Sequence, residues 1–84
     1  MNLAFHPDTL KQLQRLPRVV FEAALQAIIA LSREPRPGGA KKLVGSRNDW
    51  RTRIGQYRII YEINDAENLV TIYNVAKRAD AYKR

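Results

Sequence analysis

The order of local patterns predicts an α+β domain: one short strand, two helices, then three strands that fold back on one another. Three observations carry this. Asn2 to His6 alternates polar and apolar side chains, Leu10 to Leu31 holds apolar residues at helical spacing, and β-branched and aromatic residues dominate from Trp50 onward. With 84 residues the chain reads as a single domain, 1–84, with one thin core formed where a helical hairpin packs on one face of an antiparallel sheet.

Pro7 stops the first strand, and Pro7-Asp8 opens a helix whose Leu10, Leu13 and Leu16 recur down one face before Pro17. Pro17 suits the first turn of a second helix, with Phe21, Ala24, Leu25, Ile28 and Leu31 as its apolar stripe. Glu34 to Asn48, rich in proline, glycine and basic residues, reads as a loop without structure of its own, and a loop of that length is commonly functional or mobile. WRTRI, YRIIYEIN and LVTIYNVAK then form three strands, joined by Gly55-Gln56 and by Asp65 to Asn68. Gly-X marks a two-residue type II′ turn, which sets the register of the first hairpin.

That register is a geometric statement. Ile54 opposite Tyr57 places Thr52 opposite Ile59, Arg53 opposite Arg58 and Arg51 opposite Ile60. Arg51, Arg53, Arg58, Ile60 and Glu62 then share one face, expected to be open to solvent, while Ile54, Tyr57, Ile59, Tyr61 and Ile63 share the core face. Strict alternation outward from Asn64 opposite Leu69 would carry Arg78 into the core, so a bend, bulge or strand end is expected near Ala76. Tyr73 falls on the arginine face.

Composition narrows the chemistry. There is no cysteine and a single histidine, His6, so disulfides, thiolate metal sites and cysteine nucleophiles are excluded, and neither a metal nor a cofactor is expected. No run approaches the roughly 18 apolar residues of a membrane span, no secretory signal leads the chain, and a cytoplasmic location is expected. The net charge of +7 suits nucleic acid or an acidic protein, and between Arg33 and Arg58 eight basic residues stand against two acidic ones. Like charges in cross-strand positions destabilise a sheet, so three convergent arginines point to a preformed phosphate site, where planar guanidinium forks grip oxygens in pairs.

Taken together, AKKLVG, WRTRIGQYRIIYEI and VTIYNVAKRADAY resemble the RelE branch of the RelE/ParE toxin superfamily, with its "K-x-L-x-G", "R-x-G-x-Y-R-x-x-Y" and "V-x-K-R-x-x-x-Y" segments. The resemblance runs from the first strand to Tyr82. It implies a β-α-α-β-β-β fold and a prokaryotic, cytoplasmic, ribosome-dependent endoribonuclease that cuts messenger RNA in the A site by attack of a ribose 2′-hydroxyl on the neighbouring phosphate, without a metal. It implies Arg51, Arg53, Arg58, Arg78 and Tyr82 as catalytic residues, with Lys41, Lys42, Arg47 and Lys77 as further basic contacts to messenger and 16S ribosomal RNA. The implied partner is a cognate acidic antitoxin in a toxin–antitoxin hetero-oligomer, with no membrane contact.

Arg51 and Arg53 stand where better-known members carry lysine, and Ala76 where they carry glycine. An arginine hardly gives up its proton, so the general base is unassigned. Glu62 is a candidate base or a structural salt-bridge partner. His6 suits a capping or surface position. Trp50 and Tyr73 either stack bases or cover the core edge. Two other functions stay open: a ParE-like gyrase inhibitor without nuclease activity, and a basic RNA-binding module.

Overall fold

Asn2–Phe5 forms β1, and Pro7–Gln14 forms α1, capped by His6, whose Nδ1 accepts the Asp8 N–H at 3.2 Å. The capping role read for His6 is the one it has. Pro17 precedes α2, Arg18–Arg33, and the sheet is completed by β2 (Lys41–Lys42), β3 (Asp49–Ile54), β4 (Tyr57–Asn64) and β5 (Leu69–Lys77). These elements come from a computed structural model that describes residues 1–45 and 48–77.

The five strands lie in the order β1-β5-β4-β3-β2. The α+β class and the β-α-α-β-β-β sequence of main elements hold, with two additions. β1 pairs with β5 in parallel, so the sheet is mixed, and the expected structureless loop contains β2, in which Lys41 faces Arg51 and Lys42 faces Trp50. Two lysines carry no periodicity, and a strand that short owes its existence to the neighbour it pairs with.

Both helices cover one face. Leu13, Ala24, Ile28 and Leu31 pack there against Ile59, Tyr61, Ile63, Val70, Ile72 and Val75. Two helix positions depart from expectation. Leu10 is half exposed, because the buried face of α1 runs through Thr9 and Leu13, four residues apart, and Leu25 lies at the margin of the α2 stripe. Thr9 is fully buried, with its hydroxyl donating to the Ile72 carbonyl at 2.9 Å.

A strap holds Pro35 and Arg36 to the sheet. The buried Tyr61 hydroxyl donates to the Pro35 carbonyl at 2.7 Å, while Arg36 pairs with Asp65 at 2.9 Å and lies over the Trp50 ring at 5.4 Å. Burial pushes the Tyr61 phenol up to about 12; nearby Arg36 opposes that rise and Glu34 adds to it.

Candidate functional site

The hairpin register is the expected one: Ile54 faces Tyr57, Thr52 faces Ile59, Arg53 faces Arg58 and Arg51 faces Ile60. Gly55 has φ +60, as the first central position of a type II′ turn requires. The face away from the helices therefore carries rows that cross the sheet. Arg53, Arg58 and Ala76 form the first; Lys41, Arg51, Ile60 and Asn74 the second; Asp49, Glu62 and Thr71 the third.

This face is not uniformly open. Arg53 is exposed and Arg51 half-buried, but Arg58 is only 6% exposed and Ile60 1%. β4 is the central strand, so side chains from both flanking strands close over it. A guanidinium in that position sits in a medium less screening than water, where its pull on an anion is stronger.

Arg53, Arg58 and Lys77 line a cleft of about 370 Å³ at the turn end of the hairpin, together with Gly55, Gln56 and Tyr57. A second groove of about 470 Å³ runs along the β2 edge, lined by Lys41, Lys42, Leu43, Val44 and Arg51. The structure thus gathers Arg51, Arg53, Arg58, Lys41, Lys42 and Lys77 into two adjoining basic concavities, linked where Arg51 stands one row from Arg53. Arg47, Arg78 and Tyr82 lie outside the described residues.

Glu62 stands two rows, about 13 Å along β4, from Arg58, too far to serve a phosphate held there. Its carboxylate instead accepts the Tyr73 hydroxyl at 3.5 Å, which brings Tyr73 to the arginine side as expected. Trp50 lies on the helix side under Arg36, so of its two readings the core edge holds. Among the described residues no group of three or more His, Cys, Asp or Glu side chains is placed to hold a metal ion, and no helix is long and apolar enough to cross a membrane.

The irregularity expected near Ala76 sits earlier. Tyr61 faces Ile72 while Ile60 faces Asn74, which leaves Tyr73 as the extra residue of a β-bulge. A signal for it was present: buried apolar residues recur at 70 and 72 and then at 75, with an asparagine at 74 where alternation expects a core residue. Asn74, 3% exposed beside Ile60, is a buried polar member of the face that alternation alone misses.

A small α+β domain of two helices on one face of a five-stranded mixed sheet is the architecture of a toxin family. The chain belongs to the ParE toxins of type II toxin-antitoxin systems (parDE), whose family model matches residues 3–82. Within that family it is RelE-like. It is similar to the toxin RelG of Mycobacterium tuberculosis, 36% identical over 87 residues that cover 99% of this chain and 97% of that protein. It also resembles the toxin in the archaeal RelE-RelB complex from Pyrococcus horikoshii OT3, at TM-score 0.82 and 29% identity over 95% of this chain and 97% of that one. The isolated E. coli RelE toxin shares the fold at TM-score 0.81 and 24% identity, over 90% of this chain and 82% of that one.

Proposed function

We propose that the chain is the endoribonuclease toxin of a type II toxin–antitoxin pair and that it cuts messenger RNA in the ribosomal A site. The observation that carries this reading is the pairing of Arg53 with buried Arg58 across the hairpin, at the mouth of a cleft that Lys77 completes. Two guanidinium groups held side by side on paired strands suit a phosphate, whose oxygens their planar forks grip in pairs.

In the proposed reaction the 2′-hydroxyl attacks the adjacent phosphorus, the bond to the 5′-oxygen breaks, and a 2′,3′-cyclic phosphate and a free 5′-hydroxyl result. Negative charge grows on the non-bridging oxygens, where Arg53 and Arg58, fixed on paired strands, stabilise it without reorganising. Arg51 and the Lys41–Lys42 groove hold the flanking backbone. Arg78 neutralises the leaving oxygen, water takes the proton of the 2′-hydroxyl and supplies the one that the 5′-oxygen gains, and Tyr82 stacks on a base or orients the nucleophile. A guanidinium such as that of Arg51 is a poor general base and Glu62 is distant, so the acceleration rests on charge stabilisation rather than on a side-chain base.

The partner proposed is an acidic antitoxin segment that covers the basic face and displaces RNA. The complex with RelB formed by the Pyrococcus relative supports it.

A translation reaction with purified protein, followed by mapping of messenger ends, tests the function. Codon-spaced cuts that vanish without ribosomes and without Arg58 are expected. The family description itself names ParE, which keeps gyrase inhibition as the second reading. Gyrase-dependent DNA breaks with intact messenger would replace the ribonuclease reading, and binding without either would leave an RNA-binding module.

A further inference from the structure

The bulge at Tyr73 decides what stands beside the arginines. Continued without it from Asn64 opposite Leu69, the pairing would set Asn74 opposite Ile59, inside the core, and Val75 opposite Arg58. With it, Val75 is 1% exposed against Ile59, Ala76 faces Arg58 and Lys77 faces Tyr57 at the cleft. Loss of the bulge would reverse these faces, since side chains alternate along a strand.

What holds the bulge in place lies outside the sheet. β1 has its last pair at Phe5 and Ile72, so β5 continues past the end of its parallel neighbour, and α1 takes over there. The Ile72 carbonyl accepts both the His6 N–H and the Thr9 hydroxyl, each at 2.9 Å. On the far side of the bulge, the Val75 N–H donates to Oε1 of Gln12 at 2.8 Å, across 63 residues of sequence. Gln12 is half-buried and next to Leu13, which anchors that turn of the helix in the core. An amide claimed by an acceptor at a fixed place cannot shift along the strand without leaving a buried donor unsatisfied.

We infer that Gln12 is a positioning residue for the basic cleft: by taking the Val75 N–H it holds the bulge in β5 and so sets the phase in which Ala76 comes beside Arg58 and Lys77 comes beside Tyr57 at the cleft. The importance of the cleft rests on the function proposed above; the locking of the bulge does not. The position needs an acceptor of the right reach, not a charge, so glutamate serves and leucine does not.

The test compares Gln12→Leu, Gln12→Glu and Thr9→Val by amide exchange at Val75, by the cross-strand contact between Arg58 and Ala76 in NMR spectra, and by affinity for a short single-stranded RNA. Gln12→Leu is expected to speed Val75 exchange roughly tenfold, weaken the Arg58–Ala76 contact and lower RNA affinity, while Gln12→Glu keeps all three. Thr9→Val removes a hydrogen bond from the same helix–strand contact and is expected to lower thermal stability with the register and RNA affinity unchanged. Should Gln12→Leu not fold, Gln12→Asn, which keeps the amide but lacks the reach, is read in its place with the same losses expected. An intact Arg58–Ala76 contact in the Gln12→Leu protein would overturn the inference, as would a Gln12→Glu protein that fails like Gln12→Leu, or a Thr9→Val protein that loses RNA affinity equally. If Arg53→Ala leaves the affinity of the otherwise unaltered protein untouched, the reading of the cleft fails, and the exchange and contact measurements still decide whether Gln12 holds the register.

Discussion

Replacing Tyr61 with phenylalanine should reverse its effect on stability between neutral and alkaline pH. At neutral pH the variant loses the hydrogen bond to the Pro35 carbonyl, 2.7 Å long and partly buried, a loss of about 1 kcal/mol or, in a domain this small, about 4–8 °C in melting temperature. In the wild type the phenol ionises near 10 when unfolded and at about 12 when folded, because burial opposes the charged form. A folded pKa above the unfolded one gives a contribution that is complete below pH 10 and lost as pH rises toward 12. Each tenfold difference in ionisation corresponds to about 1.4 kcal/mol, so at pH 11 the penalty roughly equals the hydrogen bond, and above that Tyr61→Phe is the more stable protein. Chemical unfolding of both proteins from neutral pH to pH 12 measures it, with other alkaline titrations cancelling in the difference. Two parallel curves would show that the Tyr61 hydroxyl is hydrated, and the strap from Pro35 to the sheet would lose its anchor.

Arg58→Lys keeps the charge but loses the planar fork, and single-turnover cleavage on ribosomes should fall about 10²–10³-fold; a rate within tenfold of wild type would refute paired gripping of the phosphate. Lys41→Ala should flatten the salt dependence of single-stranded RNA binding by about 0.7 in the logarithmic slope, the share of one phosphate contact. Gly55→Ala meets no atom within 4 Å but must hold φ +60, so unfolding experiments should register about 1–2 kcal/mol of lost stability, with Gly55→Asn less affected.

Local chemistry made the hairpin legible. Gly55-Gln56 admits one turn type, and Ile54, Tyr57, Ile59, Tyr61 and Ile63 agree on one buried face, so the position of every arginine in β3 and β4 followed from counting. The pairing of β1 with β5 joins segments with no local signal for each other, and whether such a pair is parallel depends on the path of the two helices between them. β2 was invisible for the opposite reason, since two exposed lysines hold no pattern and borrow their strand geometry from β3. The expectation of an irregularity in β5 came from a misplaced arginine rather than from its cause. The cause is the step from Ile72 to Val75, and what fixes it is a glutamine in the first helix. Burial of Arg58 and Ile60 escaped because alternation assigns a face but does not say how neighbouring strands close over its centre.

The parallel pairing of β1 with β5 also imposes an order of events on synthesis. Asn2 to Phe5 finds its strand partner, among the described residues, between Leu69 and Ile72, and the Gln12 side chain finds its donor at Val75. Contacts between segments so far apart in sequence form late, because closing so long a loop is paid before they reward it. A nascent chain lacking β5 can form the β3–β4 hairpin, but neither the partner of its first strand nor the Lys77 side of the cleft yet exists. The Lys77 side of the basic cleft is therefore completed only once β5 has docked between β4 and β1.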